Sequence, residues 1–499
     1  MAKKFEYVDF HCHPALKTFL GGYEENEREN CWEEIDVTGL LEWVDLILGN
    51  ILDSKSSLTQ NLKGGIKLLV AGLYPTEIPI ITGELVKVKK QKVNLLLASS
   101  LIPELNHQLL KAISEKQMGY HEVFNDLKTH LLNSETLEKG FNLVHNASDI
   151  KENKLNIILA AEGAHSLFHD VDNFTDQEVL DNLNSIKTGT ERFLYLTLTH
   201  ITQNPVCNHA WGIKDIKDER FKPKACGISD LGKDVIKKAL STENGEKRIF
   251  IDVKHMSLRS RLEYYKMVED DYDNKIPIIA SHTGITGVSY SNMPVYKYKV
   301  KGDFVKVKYY IPEGLMSAHF NPWSINLYDE EIKIIIDSGG LIGMNLDERI
   351  LGTKDNRKKN RVEYFSAKEF EGYKSDVDAN LNFFKSRHSF DEAVDDDPLV
   401  IVNKDLKHLC NNILHIVKIG GEKAWDHICI GSDFDGMINA VECCKTSEKF
   451  GKLEKRLERM LPKMAETDYA TDYYVNNIEE KVSRIMSKNA LKFITTYFI

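Results

Sequence analysis

Residues 230–282, DLGKDVIKKALSTENGEKRIFIDVKHMSLRSRLEYYKMVEDDYDNKIPIIASH, contain two copies of the pattern that decides the fold. Helical stretches at Asp230–Leu240 and Leu258–Glu269 precede short apolar runs at Arg248–Val253 and Ile276–Ser281. The runs are rich in Val and Ile and do not alternate with polar residues, which is typical of strands buried on both faces. Strands that alternate with helices in this way predict a parallel sheet.

The same pattern along the rest of the chain predicts an α/β fold, a (β/α)8 TIM barrel with large insertions. Such a barrel needs about 250 residues, and the chain has 499. We expect one domain, residues 1–499, with insertions near 25–60, 75–150, 285–325 and 351–398. The eight predicted strands are Phe5–His11, Ile66–Gly72, Leu155–Ala161, Arg192–Leu198, Arg248–Val253, Ile276–Ser281, Gly340–Asn345 and His427–Ser432.

Three of the insertions contain local patterns. The first has an amphipathic segment around Leu40–Leu52, and the third predicts a hairpin of Tyr296–Val300 and Phe304–Tyr310 across a Gly-Asp turn. The fourth is polar and ends in the acidic run Asp395–Asp397. We interpret that run as a solvated loop or helix cap rather than a metal site.

Composition and charge restrict the partners and the compartment. The net charge of −10 argues against nucleic acid as a partner, because phosphate binding needs concentrated Lys and Arg. Eight cysteines in this length are too few for a disulfide scaffold. The N-terminus lacks an apolar leader and no stretch reaches the length of a membrane span, so we expect a soluble cytoplasmic protein without a membrane partner. A homodimer is also compatible with the sequence.

Six of the eight predicted strands end in a histidine or an acidic residue. Barrel enzymes assemble their active sites at the carboxyl ends of the strands, so residues distant in sequence meet there. Lys254 is not taken as a metal ligand, because it points to the opposite face from His255 if the strand continues. The candidate residues are His11, His13, Glu162, His200, His255, His282 and Asp433.

These residue types predict a metal-dependent hydrolase. Imidazole and carboxylate together suit Zn²⁺ and similar divalent ions, and Glu162 could bridge two of them. Two ions sharing a water supply hydroxide near neutral pH. Asp433 could move its proton and His200 could donate to the oxyanion. No serine-nucleophile, P-loop or zincin motif is present in the sequence.

Blocks of sequence along nearly the whole chain carry a family resemblance. In this order they resemble the membrane dipeptidase (renal dipeptidase) family, peptidase family M19 of the amidohydrolase superfamily. The blocks are Asp9–His13, Thr59–Gly65, Ala161–Gly163, Leu196–His200, Gly227–Gly232, Ile251–Ser257, Ile279–Thr283, Gly431–Gly436 and Ile485–Leu491.

The resemblance implies a barrel with a two-zinc centre that hydrolyses a dipeptide-like small molecule. It places His11 and position 13 on one ion, Glu162 between the ions, and His255 and His282 on the other. His200 would contact the substrate and Asp433 would carry protons.

Two positions depart from the family pattern. Position 13 is usually Asp and is His13 here, which removes one negative charge from the centre. Ile325 occupies the position of an Arg that grips the substrate carboxylate, and an aliphatic side chain cannot replace that clamp. Arg349, just past the seventh strand, could reach the substrate from another direction.

Two alternatives to amide hydrolysis remain open at this stage. An amidohydrolase-type metal enzyme could act on a lactone, a cyclic amide or a phosphoester. A barrel that has lost catalysis could serve for binding.

Overall fold

The computed structural model describes residues 6–21, 30–38, 45, 52–88, 91–102, 104–136, 140–214, 216–352, 362–387, 404–468 and 473–499. Within these ranges we number strands and helices along the chain. The strands are β1 (Tyr7–Cys12), β2 (Ile66–Leu73), β3 (Val86–Val88), β4 (Gln91–Val93), β5 (Asn142–Leu143), β6 (Asn156–Glu162), β7 (Phe193–Thr197), β8 (Phe250–Asp252), β9 (Ile279–Thr283), β10 (Val295–Lys301), β11 (Phe304–Tyr309), β12 (Leu341–Met344), β13 (Val362–Ser366) and β14 (Ile428–Ile430).

The α-helices flank these strands or lie in the insertions. They are α1 (Leu16–Leu20), α2 (Leu58–Gly64), α3 (Ile78–Thr82), α4 (Leu95–Ser99), α5 (His107–Ser114), α6 (Tyr120–Asn133), α7 (Asp176–Thr188), α8 (Asp230–Leu240), α9 (Leu258–Tyr272), α10 (Asp329–Asp337), α11 (Glu348–Leu351), α12 (Ala367–Arg387), α13 (Lys404–Gly420), α14 (Phe450–Ala465), α15 (Ile478–Ser483) and α16 (Asn489–Tyr497). Among the described residues, no helix combines the length and the apolar character needed to cross a bilayer.

Eight strands form the predicted barrel, in the order β1-β2-β6-β7-β8-β9-β12-β14. Every neighbouring pair along this path is parallel. The ends of the path meet through a parallel bridge between Cys12 and Phe434. There the Asp433 amide donates to the His11 carbonyl (2.9 Å), and the His13 amide donates to the Phe434 carbonyl (2.9 Å). The predicted (β/α)8 fold is therefore confirmed, with each barrel strand at a predicted apolar run.

The helices begin where the sequence supplies side-chain caps. The Ser229 hydroxyl accepts a hydrogen bond from the Gly232 amide (3.0 Å) at the start of α8. The Ser257 hydroxyl does the same for the Ser260 amide (3.2 Å) at the start of α9. Each cap satisfies an amide that the first turn leaves without a backbone partner. The caps fix where α9 begins, immediately after a strand end that carries site residues.

A second, smaller core lies beside the barrel and is built from the third and fourth predicted insertions. The predicted hairpin is present as β10 and β11, and β13 joins it as a third antiparallel strand. The fourth insertion is thus more than a polar loop, because it contributes this strand and the helix α12. The acidic run Asp395–Asp397 and most of Leu40–Leu52 lie outside the described residues. The division into one domain with four insertions stays a prediction.

Glu363 joins the small core to the barrel loop at Ser324. Its carboxylate accepts from the Ser324 amide (2.9 Å) and from the Tyr309 hydroxyl (2.6 Å). Burial outweighs these hydrogen bonds and raises the pKa of Glu363 from 4.5 to about 7. Between these values the folded protein keeps a proton that the unfolded chain releases, so this group makes the free energy of unfolding fall as pH rises.

The Glu363→Gln variant should therefore gain stability relative to the parent protein only at high pH. Gln is a neutral substitute for the protonated carboxyl and can accept from Ser324 while donating to Tyr309. We expect a gain of about 1–3 kcal/mol at pH 8 and little change at pH 5. Denaturant unfolding of both proteins at the two pH values measures it. An equal difference at pH 5 and pH 8 would contradict the raised pKa.

Candidate metal centre and active site

Four histidine rings surround the Glu162 carboxylate at the carboxyl ends of the barrel strands. Glu162 Oε1 lies 3.4 Å from Nε2 of His11, of His255 and of His282, and Oε2 lies 3.2 Å from Nε2 of His13. The rings form two pairs, because Nε2 of His11 and His13 are 3.1 Å apart and Nε2 of His255 and His282 are also 3.1 Å apart. All five residues are buried. The structure thus brings together every residue that the sequence predicted as a metal ligand.

Hydrogen bonds at Nδ1 fix which ring nitrogen carries the proton. Tyr195 donates its hydroxyl hydrogen to the Phe10 carbonyl (3.0 Å), so its oxygen accepts from Nδ1 of His11 (2.8 Å). Nδ1 of His13 donates to the Gly72 carbonyl (2.9 Å). Because Nδ1 of each ring holds a hydrogen, Nε2 is the atom that faces the cluster and that a metal ion would bind.

The same reasoning applies to His282. The Ser281 hydroxyl donates to Asp252 Oδ2 (2.6 Å) and accepts from Nδ1 of His282 (2.8 Å). Burial lowers the pKa of both His282 and His255 well below the ordinary value, which keeps these rings neutral. Neutral imidazole is the protonation state in which histidine binds a metal.

This set of donors fits divalent metal ions. Neutral Nε2 atoms at 3.1 Å cannot hydrogen-bond to each other when both are acceptors, so a cation between them removes a repulsion. Burial lowers the pKa of His13, but Glu162 and Asp433 outweigh it and raise that pKa to about 9. The site therefore favours positive charge beside His13. Imidazole nitrogens with carboxylate oxygens are the ligands that Zn²⁺ prefers in proteins.

Two matching Asp–Ser pairs hold the strands that carry these residues. Asp9 accepts from the amide and hydroxyl of Ser432 at 2.9 and 2.5 Å. Asp252 accepts from the amide and hydroxyl of Ser281 at 2.9 and 2.6 Å. Each aspartate precedes a cluster histidine by two or three residues, and each serine directly precedes another site residue. The pairs lock neighbouring strand ends in register and so set the spacing of the cluster.

Two site residues adopt left-handed backbone conformations. The φ angles are 67° at His255 and 61° at Asp433. Such values are uncommon outside glycine and cost about 1–3 kcal/mol when the neighbouring structure imposes them. Here they turn the chain sharply after β8 and β14, which directs both side chains toward the cluster.

Asp433 lies at the edge of the cluster and retains some exposure to the cavity. Its Oδ1 is 3.5 Å from Nε2 of His13, and its Oδ2 accepts from the Asn345 amide group (3.1 Å). Its side chain is 14% exposed, whereas that of Glu162 is 2% exposed. A carboxylate that touches both the cluster and the cavity can exchange protons with a bound molecule, which Glu162 cannot do as readily.

His200 stands beside the cluster and is held by a carboxylate that the sequence analysis missed. Nδ1 of His200 lies 2.6 Å from Oε2 of Glu77. Thr202 and Tyr74 also donate to Glu77. Burial opposes ionisation of Glu77, but His200 lowers its pKa to about 2. Because Glu77 takes the Nδ1 hydrogen, the Nε2 edge of His200 is free to face the cavity. The signal was available, since Glu77 follows the end of the second predicted strand.

A cavity of about 160 Å³ opens above the cluster. Its lining includes the cluster residues His13, Glu162 and His255, the neighbouring His200 and Asp433, and also Tyr74, Lys254, Trp323, Ile325, Asn345, Asp347 and Arg349. Arg349 lines this cavity, as the hypothesis of a substrate contact requires, but its guanidinium already donates to Asp347 (2.7 Å) and to the Met437 carbonyl (2.8 Å). Ile325 is buried in the small core instead of presenting a charge.

Lys254, which the sequence analysis did not take as a metal ligand, lies in the wall of the cavity because the strand before it ends early. Strand β8 ends at Asp252, and the chain turns through Lys254 and His255. The alternation of side chains between two faces applies only while the strand continues. Both residues therefore line the cavity. Burial lowers the pKa of Lys254 to about 8, although Asp433 and Asp252 oppose that effect.

Comparisons with known proteins agree with this architecture. Residues 317–492 match the model of the membrane dipeptidase family, peptidase family M19. A dipeptidase AC of family M19 shares 12% identity over 99% of both chains, with a TM-score of 0.52. A metallopeptidase from Rhodobacter sphaeroides, bound to a phosphinate mimic of the dipeptide L-Ala-D-Ala, shares 12% identity over 99% of this chain and 100% of that one, with a TM-score of 0.50.

A third solved structure, the probable dipeptidase PvdM from Pseudomonas aeruginosa, shares 13% identity over 89% of each chain, with a TM-score of 0.50. At these identities the likeness concerns the fold. No curated protein sequence matches the chain significantly.

A (β/α)8 barrel with four histidines and a carboxylate at its mouth, matched by a metallopeptidase family, defines a metal-dependent hydrolase. More narrowly, residues 317–492 are similar to the membrane dipeptidase family.

Proposed function

We propose that this protein is a two-metal hydrolase that cleaves the amide bond of dipeptides or similar small molecules. The observation that carries the proposal is the arrangement of two Nε2 pairs around one buried carboxylate. His11 and His13 would hold one ion, and His255 and His282 the other. Glu162 would contact both. We propose Zn²⁺ because the ligands are imidazole and carboxylate.

Two divalent ions bound there would lower the pKa of a shared water and polarise the substrate carbonyl. The protein's own groups would do the rest. Asp433, fixed by Asn345, would accept the proton from the attacking water and return it to the leaving amine nitrogen. Burial alone would lower the pKa of His200, but Glu77 raises it above the ordinary value and so favours the ring with hydrogens on both nitrogens. The Nε2–H of this protonated His200, oriented by Glu77, would donate to the carbonyl oxygen as negative charge develops on it.

Dipeptides are the first substrate class to test. The cavity is small, and the family is one of dipeptidases. A protein of similar fold binds a dipeptide mimic. The eight cysteines are all free, which supports our proposal that the protein works in the reducing cytoplasm.

Metal removal and reloading test the proposed function. We expect protein treated with a chelator to lose dipeptide hydrolysis, and about two equivalents of Zn²⁺ or Mn²⁺ to restore it. Parallel assays with lactones, cyclic amides and aryl phosphates show whether the protein hydrolyses one of these bonds instead of a dipeptide amide. Turnover restricted to one of those compounds would replace the dipeptidase proposal. If the protein binds no stoichiometric metal and hydrolyses none of these compounds, the alternative of a catalytically inactive barrel that serves for binding would replace the proposal.

A further inference from the structure

We propose that Lys254 binds the substrate's free carboxylate, so that the substrate is a dipeptide or an N-acylated amino acid in its acid form. This inference rests on the proposed hydrolase function and names the part of the substrate that the site recognises. Lys254 would thereby take over the role of the arginine that the family pattern places at position 325.

The ammonium group of Lys254 is buried without a partner. The residue is 3% exposed, and its Nζ has no hydrogen-bond partner in the described part of the chain. A charge removed from water without compensation costs several kcal/mol. In the folded protein this destabilising ammonium group lies in the cavity wall, beside the histidine cluster. A bound anion would offset that cost.

The nearby carboxylates of the protein do not serve as that partner. Asp252 is occupied by Ser281 and Thr197, and Asp433 by Asn345 and His13. Neither forms an ion pair within 4.0 Å of Lys254 among the described residues. Asp433, Asp252 and Glu162 attract Lys254 only through space, so a bound ligand is the remaining source of a directly hydrogen-bonded anion.

Trp323 supplies a second donor on the same cavity. Its Nε1–H is buried and has no partner among the residues that the structure describes. A carboxylate has two oxygens, so one ammonium and one indole N–H can each satisfy one of them. A neutral amide at the same place would present its NH₂ group to one of these donors and lose that hydrogen bond.

The apolar packing around Ile325 explains why the positive charge that faces the ligand is carried by Lys254. Its side chain packs against Gly212 so closely that a Cβ at residue 212 would lie 2.6 Å from Cδ1 of Ile325. It also belongs to the small core with Trp211 and Trp323. The insertions have thus made this wall apolar, and the cation that faces the ligand comes from the turn after β8.

The test compares acid and amide forms of one dipeptide on metal-loaded wild type and Lys254→Met. Met keeps the length and apolar stem of the side chain and removes the charge. We expect wild type to prefer the acid, and Lys254→Met to lose that preference by about 10- to 100-fold in kcat/KM, mainly through KM. The amide should react at nearly the same rate in both proteins. An equal loss for both substrates, or an unchanged preference, would overturn the proposal.

Three controls separate this role from others. Lys254→Arg keeps a cation and should retain part of the acid preference. Lys217→Met removes a charge from an exposed side chain paired with Glu84 and should leave the preference unchanged. Metal content should be equal in all variants. Loss of metal with Lys254→Met, together with equal loss of both substrates, would mean that Lys254 supports the cluster rather than the substrate.

Stability and binding provide readouts that need no catalysis. Because the Lys254 ammonium is buried without a hydrogen-bond partner, Lys254→Met should raise Tm of the ligand-free protein, whereas replacement of a structural residue would lower it. If wild type hydrolyses neither substrate, the proposed function has failed. Calorimetric binding of the acid and the amide then still decides the role of Lys254, since an acid preference absent from Lys254→Met supports it and equal binding in both proteins contradicts it.

Discussion

Replacing Glu162 by Gln is expected to abolish hydrolysis and to release at least one metal ion per chain. Gln offers one acceptor oxygen, and its NH₂ group would point at the Nε2 of a histidine where a cation should lie. The change also removes the buried negative charge at the centre of four imidazoles. We expect a loss of at least about 10³-fold in kcat.

Elemental analysis and turnover measured on the same sample check this result. Glu178→Gln, at a half-buried position in the first turn of α7, makes the same chemical change away from the site and should keep metal and activity. Burial alone would raise the pKa of Glu162, but His11 and His13 lower it well below the ordinary value, so the ionised carboxylate stabilises the folded state. Glu162→Gln should therefore be less stable than the parent in the metal-free state. A Glu162→Gln protein that holds two ions and turns over normally would refute the bridging role.

Asp433→Asn is expected to lower kcat by about 10²- to 10⁴-fold while leaving the metal content unchanged, since general acid–base catalysis contributes that much. Asn keeps the size of the side chain but cannot carry a proton between water and the leaving amine. It is also one of the few residues that tolerate the left-handed backbone found at position 433. The variant therefore separates proton transfer from folding.

Asp435→Asn is the matched control, because Asp435 lies in the same turn with a φ of 67°. Its carboxylate accepts from the amides of Lys55 and Ser56 (both 2.8 Å) and does not line the main cavity. We expect this variant to lose stability and to keep kcat per folded molecule. Full turnover by Asp433→Asn on an identified substrate would show that another group moves the proton.

Local patterns accounted for most of the fold and for the candidate cluster. The bounds of α8 and α10 agree with the predicted Asp230–Leu240 and Asp329–Asp337, because helical periodicity and end signals are properties of consecutive residues. The residues predicted as ligands meet because the carboxyl ends of parallel strands converge in any such barrel. Their positions followed from topology alone, without knowledge of side-chain contacts.

Contacts between distant segments were beyond such patterns. Strand β13 pairs with β11 across more than fifty residues, and nothing local in residues 351–398 indicates that partner. Glu77 reaches His200 from a different loop, and the Tyr195 hydroxyl fixes the ring of His11 across 184 residues. These pairings depend on where whole segments lie in space.

The sequence by itself determined the barrel, the order of its strands and the histidines and acids at their ends, because each of these follows from short-range periodicity and parallel topology. Only the tertiary structure decided which ring nitrogen of His11, His13 and His282 carries the proton, the burial of Ile325 and the position of Lys254 in the cavity wall. The reason is physical. A strand's alternation holds only while its backbone stays extended, and β8 stops two residues before Lys254. Contacts with neighbouring segments decide where a strand ends. Because β8 ends at Asp252, the ammonium of Lys254 lies in the cavity wall without a hydrogen-bond partner.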